Sequence, residues 1–445
     1  QQYYDGVPIE GAQYIVHTTN DNKTIKSNGQ IVYLDRNFSK NIGDTSWIIN
    51  YINATYPNYF ISSPFDFVFT RKSDSLDMSE DNLVLAIRVE ITDTSSIIPE
   101  RIISYFNTNE QTFIRSHNTA DYADDNCLTL YNGWRYVKTK WTGNLTNWQL
   151  LDETRGRIRT AIDCHPANLF CSLVNDENNQ WSAVEERGAV SAHWATGVSW
   201  DYFKNTFGRI GMNNKNGRID ISASQSGSNN AKFQYNDSDP DLLCFGAGDK
   251  IKAGDFASLD VVGHEFTHGV SHYSVDFSHD SYESCALKES FSDIFGTMIE
   301  FSIEGDAGDY EMLEDVAIDP ALKRSLQSPK SFEDPNTYKG QYWYFGSDID
   351  KAEHTNNGVQ NHWFYLLAEG GSGTNDHNYS YSVQGIGRDK AARIAYRNLT
   401  RYLGSSSNYL GARNGSIWAA EDLYGECSFE VQQVINAWNA VGVYG

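Results

Sequence analysis

The pentad His264-Glu265-Phe266-Thr267-His268 constrains this chain more than any other feature, because its two imidazoles converge on one point if the segment is helical. On an α-helix, positions i and i+4 lie one turn apart on the same face. Both rings can then reach a single tetrahedral Zn²⁺, with Glu265 beside it and facing a water molecule. The plainer alternative is a helix carrying two solvated or capped histidines, so the neighbouring segments have to decide.

A second helical pattern runs through Ala286–Glu300, with Leu287, Phe291, Ile294, Phe295 and Met298 forming one apolar stripe. Glu289, Asp293 and Glu300 are offset by four and eleven residues, which at about 100° per residue places them within about 40° of one another. Three carboxylates on one face of a packed helix repel unless cations lie between them. Glu289 is the natural third zinc ligand, and Asp293 can accept a hydrogen bond from a zinc-binding imidazole and fix its tautomer. The run Asp309-Tyr310-Glu311-Met312-Leu313-Glu314-Asp315 holds no Lys or Arg, and its hard oxygen donors suit Ca²⁺, although a solvated acidic loop has the same composition. His272 continues the four-residue series but lies about 12 Å along the helix from His264, too far to share a metal. It reads as structural, as do His279, His362 and His377.

The 445 residues carry 35 Lys plus Arg against 58 Asp plus Glu, a formal charge of −23, which excludes a general nucleic-acid binder. No stretch approaches the roughly 18 uninterrupted apolar residues of a membrane span. The sequence begins at Gln1 with no basic-then-apolar leader, as expected of a chain whose targeting segment has been removed or omitted. None of the six cysteines forms a CxxC pair; for Cys164 and Cys171 a small-loop disulfide and buried free thiols both fit. Sequons at Asn37, Asn53, Asn144, Asn236 and Asn398 would be glycosylation acceptors on a secretory route.

Alternation of period two, as in 12–17, 31–34 and 83–89, predicts strands over residues 1 to about 117, and the chain stays strand-rich to about 260 apart from a helix over 192–206. Period 3.6 then predicts helices over 258–273, 285–303, 361–369, 388–403 and 429–441, with Gly370-Gly371-Ser372-Gly373 as a loop.

These residues together resemble the thermolysin-like zinc metallopeptidases. The resemblance implies His264, His268 and Glu289 as zinc ligands, Asp293 behind them and Glu265 as general base. It further implies Asn230-Ala231 as the clamp for the substrate backbone, Arg324 of Arg324-Ser325-Leu326-Gln327-Ser328-Pro329 as a contact to a substrate carbonyl, and His354 of His354-Thr355-Asn356-Asn357-Gly358 as the oxyanion partner. Asp260, Glu300, Asp309, Glu311 and Glu314 fall at the family's calcium positions. Gly6-Val7-Pro8-Ile9-Glu10-Gly11-Ala12 resembles a fungalysin/thermolysin-type propeptide whose earliest portion is missing.

The implied organisation is α+β: a partial α+β propeptide at 1–117, then a two-lobed zincin catalytic domain with a strand-rich lobe at 118–262 and a mainly helical lobe at 263–445. The implied protein is a secreted proenzyme that hydrolyses peptide bonds with a metal-activated water. It would act on proteins or peptides, with its own propeptide as intramolecular inhibitor and chaperone. Against it stand a non-catalytic metal-binding scaffold or permanently latent chain whose propeptide fills the cleft, and a calcium-dependent adhesion protein. The chain departs from the family pattern in five places. One extra residue separates His268 from Glu289; Lys288 stands where Asn is common; only Tyr282 is near the family's oxyanion Tyr; the partner of His354 is either Asp348 or Asp350; and Lys323 sits beside Arg324, where the family has the apolar wall of its primed-side pocket.

Overall fold

The computed structural model describes residues 2–4, 7–9, 14–18, 24–29, 45–57, 59–61, 66–71, 83–93, 100–107, 110–118, 122–141, 148–162, 174–176, 181, 183–236, 240–278 and 281–445. They divide into two compact units, Gln1–Ala123 with Trp141–Leu145, and Asp124–Lys140 with Thr146–Gly445. The expected strand at 31–34, Cys164, Cys171, His279 and the sequons at Asn37 and Asn144 lie outside the described residues.

In the first unit, Leu83–Asp93 pairs antiparallel with Glu100–Asn107 and with Asp66–Arg71. Ile87, Val89 and Ile91 are two residues apart, so they share one face of the sheet. Helix α1, Ser46–Thr55, lays Ile48 and Ile52 against that face, and Phe106 completes the core. The sequence reading missed this helix, which has neither an acidic first turn nor a side-chain cap.

The second unit contains a five-stranded sheet in the order Leu151–Asp152, Ile158–Ile162, Ile219–Gln225, Asp241–Gly246, Ala231–Gln234. The middle three strands are parallel, and Ala231–Gln234 closes one edge antiparallel to its neighbour. Helix α2, Arg187–Phe207, packs on this sheet with Ala189, Ala192, Ala195 and Phe203 buried, and Gly208 ends it in the left-handed conformation at φ 75°. It begins five residues before the expected 192 because Ala and Gly dominate its first turns and blur the apolar stripe.

Among the described residues the α-helices that follow are α3 Leu259–His272, α4 Tyr282–Glu304, α5 Ile349–Asn356, α6 Gly358–Glu369, α7 Arg388–Arg401, α8 Tyr409–Tyr424 and α9 Phe429–Ala440. Of these, α5 and α8 were not anticipated. Helix α3 is continuous from 259 to 272, so a lobe boundary at 262/263 falls inside a helix. Helices α3 and α4 approach closely where both carry glycine: a Cβ on Gly296 would lie 2.6 Å from the Asp260 carbonyl oxygen, and one on Gly263 would lie 3.1 Å from Gly296 Cα.

The expected loop at 370–373 is instead a strand, Gly370–Thr374, paired antiparallel with Ser380–Gln384. Main-chain hydrogen bonds make the pairing and need no side chains, and the buried Val383 faces Gly371 in the register. Asn398 is buried in α7 and donates to the Ala412 carbonyl at 2.9 Å, so its sequon is closed in the folded chain, whereas Asn53 is exposed. Among the described residues no helix is long and apolar enough to cross a membrane.

Candidate active site

A cavity of about 430 Å³ opens over α3, bounded by the edge strand Ala231–Gln234 on one side and by α4 and α5 on another. Helical spacing brings His264 and His268 together, with ring centroids 4.6 Å apart. Glu289 reaches them from α4: its Oε2 lies 3.2 Å from His264 Nε2 and its Oε1 3.4 Å from His268 Nε2. The three residues that the sequence singled out as zinc ligands therefore converge, with two nitrogens and one carboxylate facing one point.

The opposite ring nitrogens are fixed from behind. His264 Nδ1 donates to Asp293 Oδ1 at 2.9 Å, and His268 Nδ1 lies 3.0 Å from Ser292 Oγ. Asp293 is fully buried and accepts from Arg324 Nη2 at 2.7 Å and from the Asn357 and Asn361 amides at 2.8 Å each. Burial alone would raise its pKa, but the Arg324 charge and the His264 hydrogen bond hold it well below the usual carboxylate range. Ser292 was missed, although it lies three residues after Glu289 and so on the same face. Asn357 and Asn361, one turn apart, were also legible as a polar pair on a buried helix.

The donor set fits a divalent cation. Glu289 Oε2 is buried and makes no well-aligned hydrogen bond. His264 loses basicity through burial, yet the hydrogen bonds and charges of Asp293 and Glu289 push it up to about 10. A ring so placed carries a proton on Nε2 that a metal can replace. Glu289 is drawn well below the usual carboxylate range, against its burial, by His268 and His354.

Glu265 points into the same cavity, and its Oε2 accepts the Phe233 backbone N–H at 2.7 Å. No side-chain pattern in the sequence could have announced that bond. Asn230 and Ala231 line the cavity, as does Arg324, whose guanidinium is committed to Asp293. His354 on α5 is half-exposed, with Nδ1 2.7 Å from the Asp350 carbonyl oxygen and Nε2 3.5 Å from Glu289 Oε2. Asp350 is thus its partner through the main chain, while Asp348 caps the helix by accepting from Lys351 N. Tyr282 does not line the cavity; its hydroxyl donates to the Ser347 carbonyl.

His272 contacts Asp276 through Nδ1 at 2.9 Å and its ring lies tilted against Tyr235, with centroids 4.2 Å apart, which puts it on the cavity wall rather than with the residues that meet Glu289. His362 is buried and pushed down to about 4 by desolvation, as a structural histidine should be.

Glu300, Asp309 and Glu314 form a second carboxylate group, their oxygens within 4.8 Å of one another. Burial, followed by the charge of Asp260, pushes Glu300 up to about 9 and Glu314 up to about 10. Each keeps one buried oxygen without a hydrogen-bond partner. Asp260 accepts from Leu313 N at 2.7 Å beside them. The side chain of Glu311 is not brought into this group; its partly exposed carboxylate lies 3.4 Å from Lys323 Nζ instead.

Residues 128–272 match the family described as thermolysin metallopeptidase, catalytic domain, residues 279–443 match its alpha-helical domain, and residues 1–31 match the fungalysin/thermolysin propeptide motif. The thermostable neutral protease NprT of Geobacillus stearothermophilus is 37% identical over 315 residues, covering 70% of this chain and 55% of that protein. A thermolysin of Alicyclobacillus acidocaldarius is 38% identical over the same length and the same shares. This chain thus spans about half the length of those relatives. The bacillolysin of Brevibacillus brevis is 31% identical over 455 residues, covering all of this chain and 81% of its own. The solved precursor of protealysin, a metalloproteinase from Serratia proteamaculans, superposes with a TM-score of 0.52 at 22% identity, covering 69% of this chain and 90% of its own. With both domain families matched across the second unit, on a fold and a donor set that agree with them, the chain belongs to the thermolysin metallopeptidase family.

Proposed function

We propose that this protein is a secreted zinc-dependent endopeptidase in its proenzyme form, with residues 1–117 as propeptide, inhibitor and folding aid of its own catalytic domain at 118–445. The convergence of His264, His268 and Glu289 beside Glu265 is the observation that carries this reading. These three residues would hold Zn²⁺, which when bound supplies a Lewis acid that polarises the scissile carbonyl and makes water a better nucleophile.

The remaining work falls to the chain. Glu265 takes the water's proton and delivers it to the leaving amine, acting as base and then as acid. The edge strand Ala231–Gln234 leaves one side unpaired within its sheet, and Ala231 with Asn230 just before it holds an extended substrate by its backbone. His354 Nδ1–H donates a hydrogen bond to the Asp350 carbonyl oxygen, so when the ring carries both protons its Nε2–H is free to donate to a developing oxyanion. Arg324 adds positive charge from behind. Asp260, Glu300, Asp309 and Glu314 would hold Ca²⁺, whose positive charge would offset the repulsion among them, with the Glu311 side chain turned toward Lys323 instead.

The test is to incubate the purified chain with a quenched peptide bearing an apolar residue after the scissile bond, with and without a zinc chelator, while following chain mass and bound zinc. Chelator-sensitive cleavage that appears as about 117 residues are lost supports the reading. Stoichiometric zinc without cleavage, even after another protease removes the first segment, refutes it in favour of a metal-binding scaffold.

A further inference from the structure

Lys288 and Glu353 take no part in the steps above, yet each directly precedes a residue of the metal cleft, Glu289 on α4 and His354 on α5. They meet in space. Lys288 Nζ lies 3.4 Å from Glu353 Oε2 and 3.4 Å from Glu289 Oε1, with only 20% and 13% of the Lys288 and Glu353 side chains exposed. Ligand atoms of Glu289, Glu353 and His354 also fall within 4.8 Å of one another. One ammonium therefore faces two carboxylates, and one of these is the third zinc ligand.

We infer that Lys288 is a positioning residue that weakens the charge Glu289 offers to the metal, and that Glu353 sets the extent by holding Lys288 to itself. This rests on the zinc reading of the site. In a half-buried cleft the ammonium repels a divalent cation a few ångströms away and polarises the Glu289 carboxylate toward itself, and water screens neither effect well. Glu353 supplies the compensating negative charge. Removing Lys288 should therefore tighten the zinc site, and removing the Glu353 charge should loosen it. If the pair merely buttressed Glu289, losing either member would loosen the site. Opposite signs thus separate electrostatic tuning from support. The same polarisation leaves a bound Zn²⁺ more electron-poor than an unmodified carboxylate would.

The zinc dissociation constant of the full chain is measured by competition against a chelator of known affinity, at fixed pH and ionic strength with calcium present. Far-ultraviolet circular dichroism checks the fold. Lys288→Gln should bind zinc about tenfold tighter and Glu353→Gln about tenfold weaker, the scale found for groups behind metal ligands. Lys288→Arg should stay near the parent chain, and the double variant Lys288→Gln/Glu353→Gln should return toward it. Lys288→Met, which keeps the packed stem, serves if the glutamine variant unfolds. Weakening in both single variants, or no change in either, overturns the inference while leaving the zinc reading intact. A parent chain that binds no zinc overturns that reading first.

Discussion

Asp293 Oδ1 accepts the His264 Nδ1 proton at 2.9 Å while the same carboxylate receives Arg324 and two asparagine amides. Asp293→Asn keeps the shape but removes the charge and one acceptor. The zinc affinity should fall about 10–100-fold, measured by chelator competition. The Arg324 guanidinium would lose its buried partner, a change that costs about 3–5 kcal/mol, so the thermal midpoint should fall as well. An unaltered zinc affinity would show that Asp293 does not orient His264.

Glu265 can be tested without disturbing the edge strand, because a glutamine carbonyl still accepts the Phe233 N–H that Glu265 accepts at 2.7 Å. Glu265→Gln should lower turnover by about 10²–10⁴ or more, with zinc content unchanged. Retained peptidase activity would remove Glu265 from the role of general base.

Chelating calcium should make stability fall as pH rises. Without a cation, burial and Asp260 hold Glu300 up to about 9 and Glu314 up to about 10, against the ordinary 4.5. Between 4.5 and those values the folded state binds more protons than the unfolded state, so unfolding free energy declines with pH across that window. Saturating calcium should flatten the decline, since the cation then carries the charge. Thermal midpoints from pH 5 to 9, with and without calcium, check this; parallel curves would dissociate these glutamates from a calcium site.

Gly296→Ala should destabilise the chain although alanine is the better helix former. The added methyl group would lie 2.6 Å from the Asp260 carbonyl oxygen and 3.3 Å from His264 N. Overpacking costs about 1–3 kcal/mol, more than the roughly 1 kcal/mol that helix propensity returns. A lower urea midpoint with an unchanged slope is the expected result, and a raised midpoint would mean that the two helices separate easily.

Much of the site could be read from spacing. His264 with His268, and Glu289 with Asp293, are each one helical turn apart, so the helix period alone aligns them. Ser292 belonged to the same pattern and was passed over. Glu311 could not be sorted from Glu314 this way, because a two-residue strand, Glu311–Met312, turns its side chain toward Lys323. Helices α1, α5 and α8 escaped notice: α5 spans only eight residues, and in α8 small residues replace a continuous apolar stripe.

The sequence by itself determined the ligand types and the faces they occupy, since both follow from local helix geometry that every residue carries with it. It also determined where the chain passes from period two to period 3.6, and hence the strand-rich and helical halves of the catalytic part. Only the tertiary structure decided which other groups meet: Arg324 with Asp293, Phe233 N with Glu265, Lys288 with Glu353, and Asp350, through its main-chain carbonyl, with His354. Those meetings depend on how closely α3, α4 and α5 pack and on where the edge strand ends. Such distances are set by the whole core rather than by any segment's own spacing.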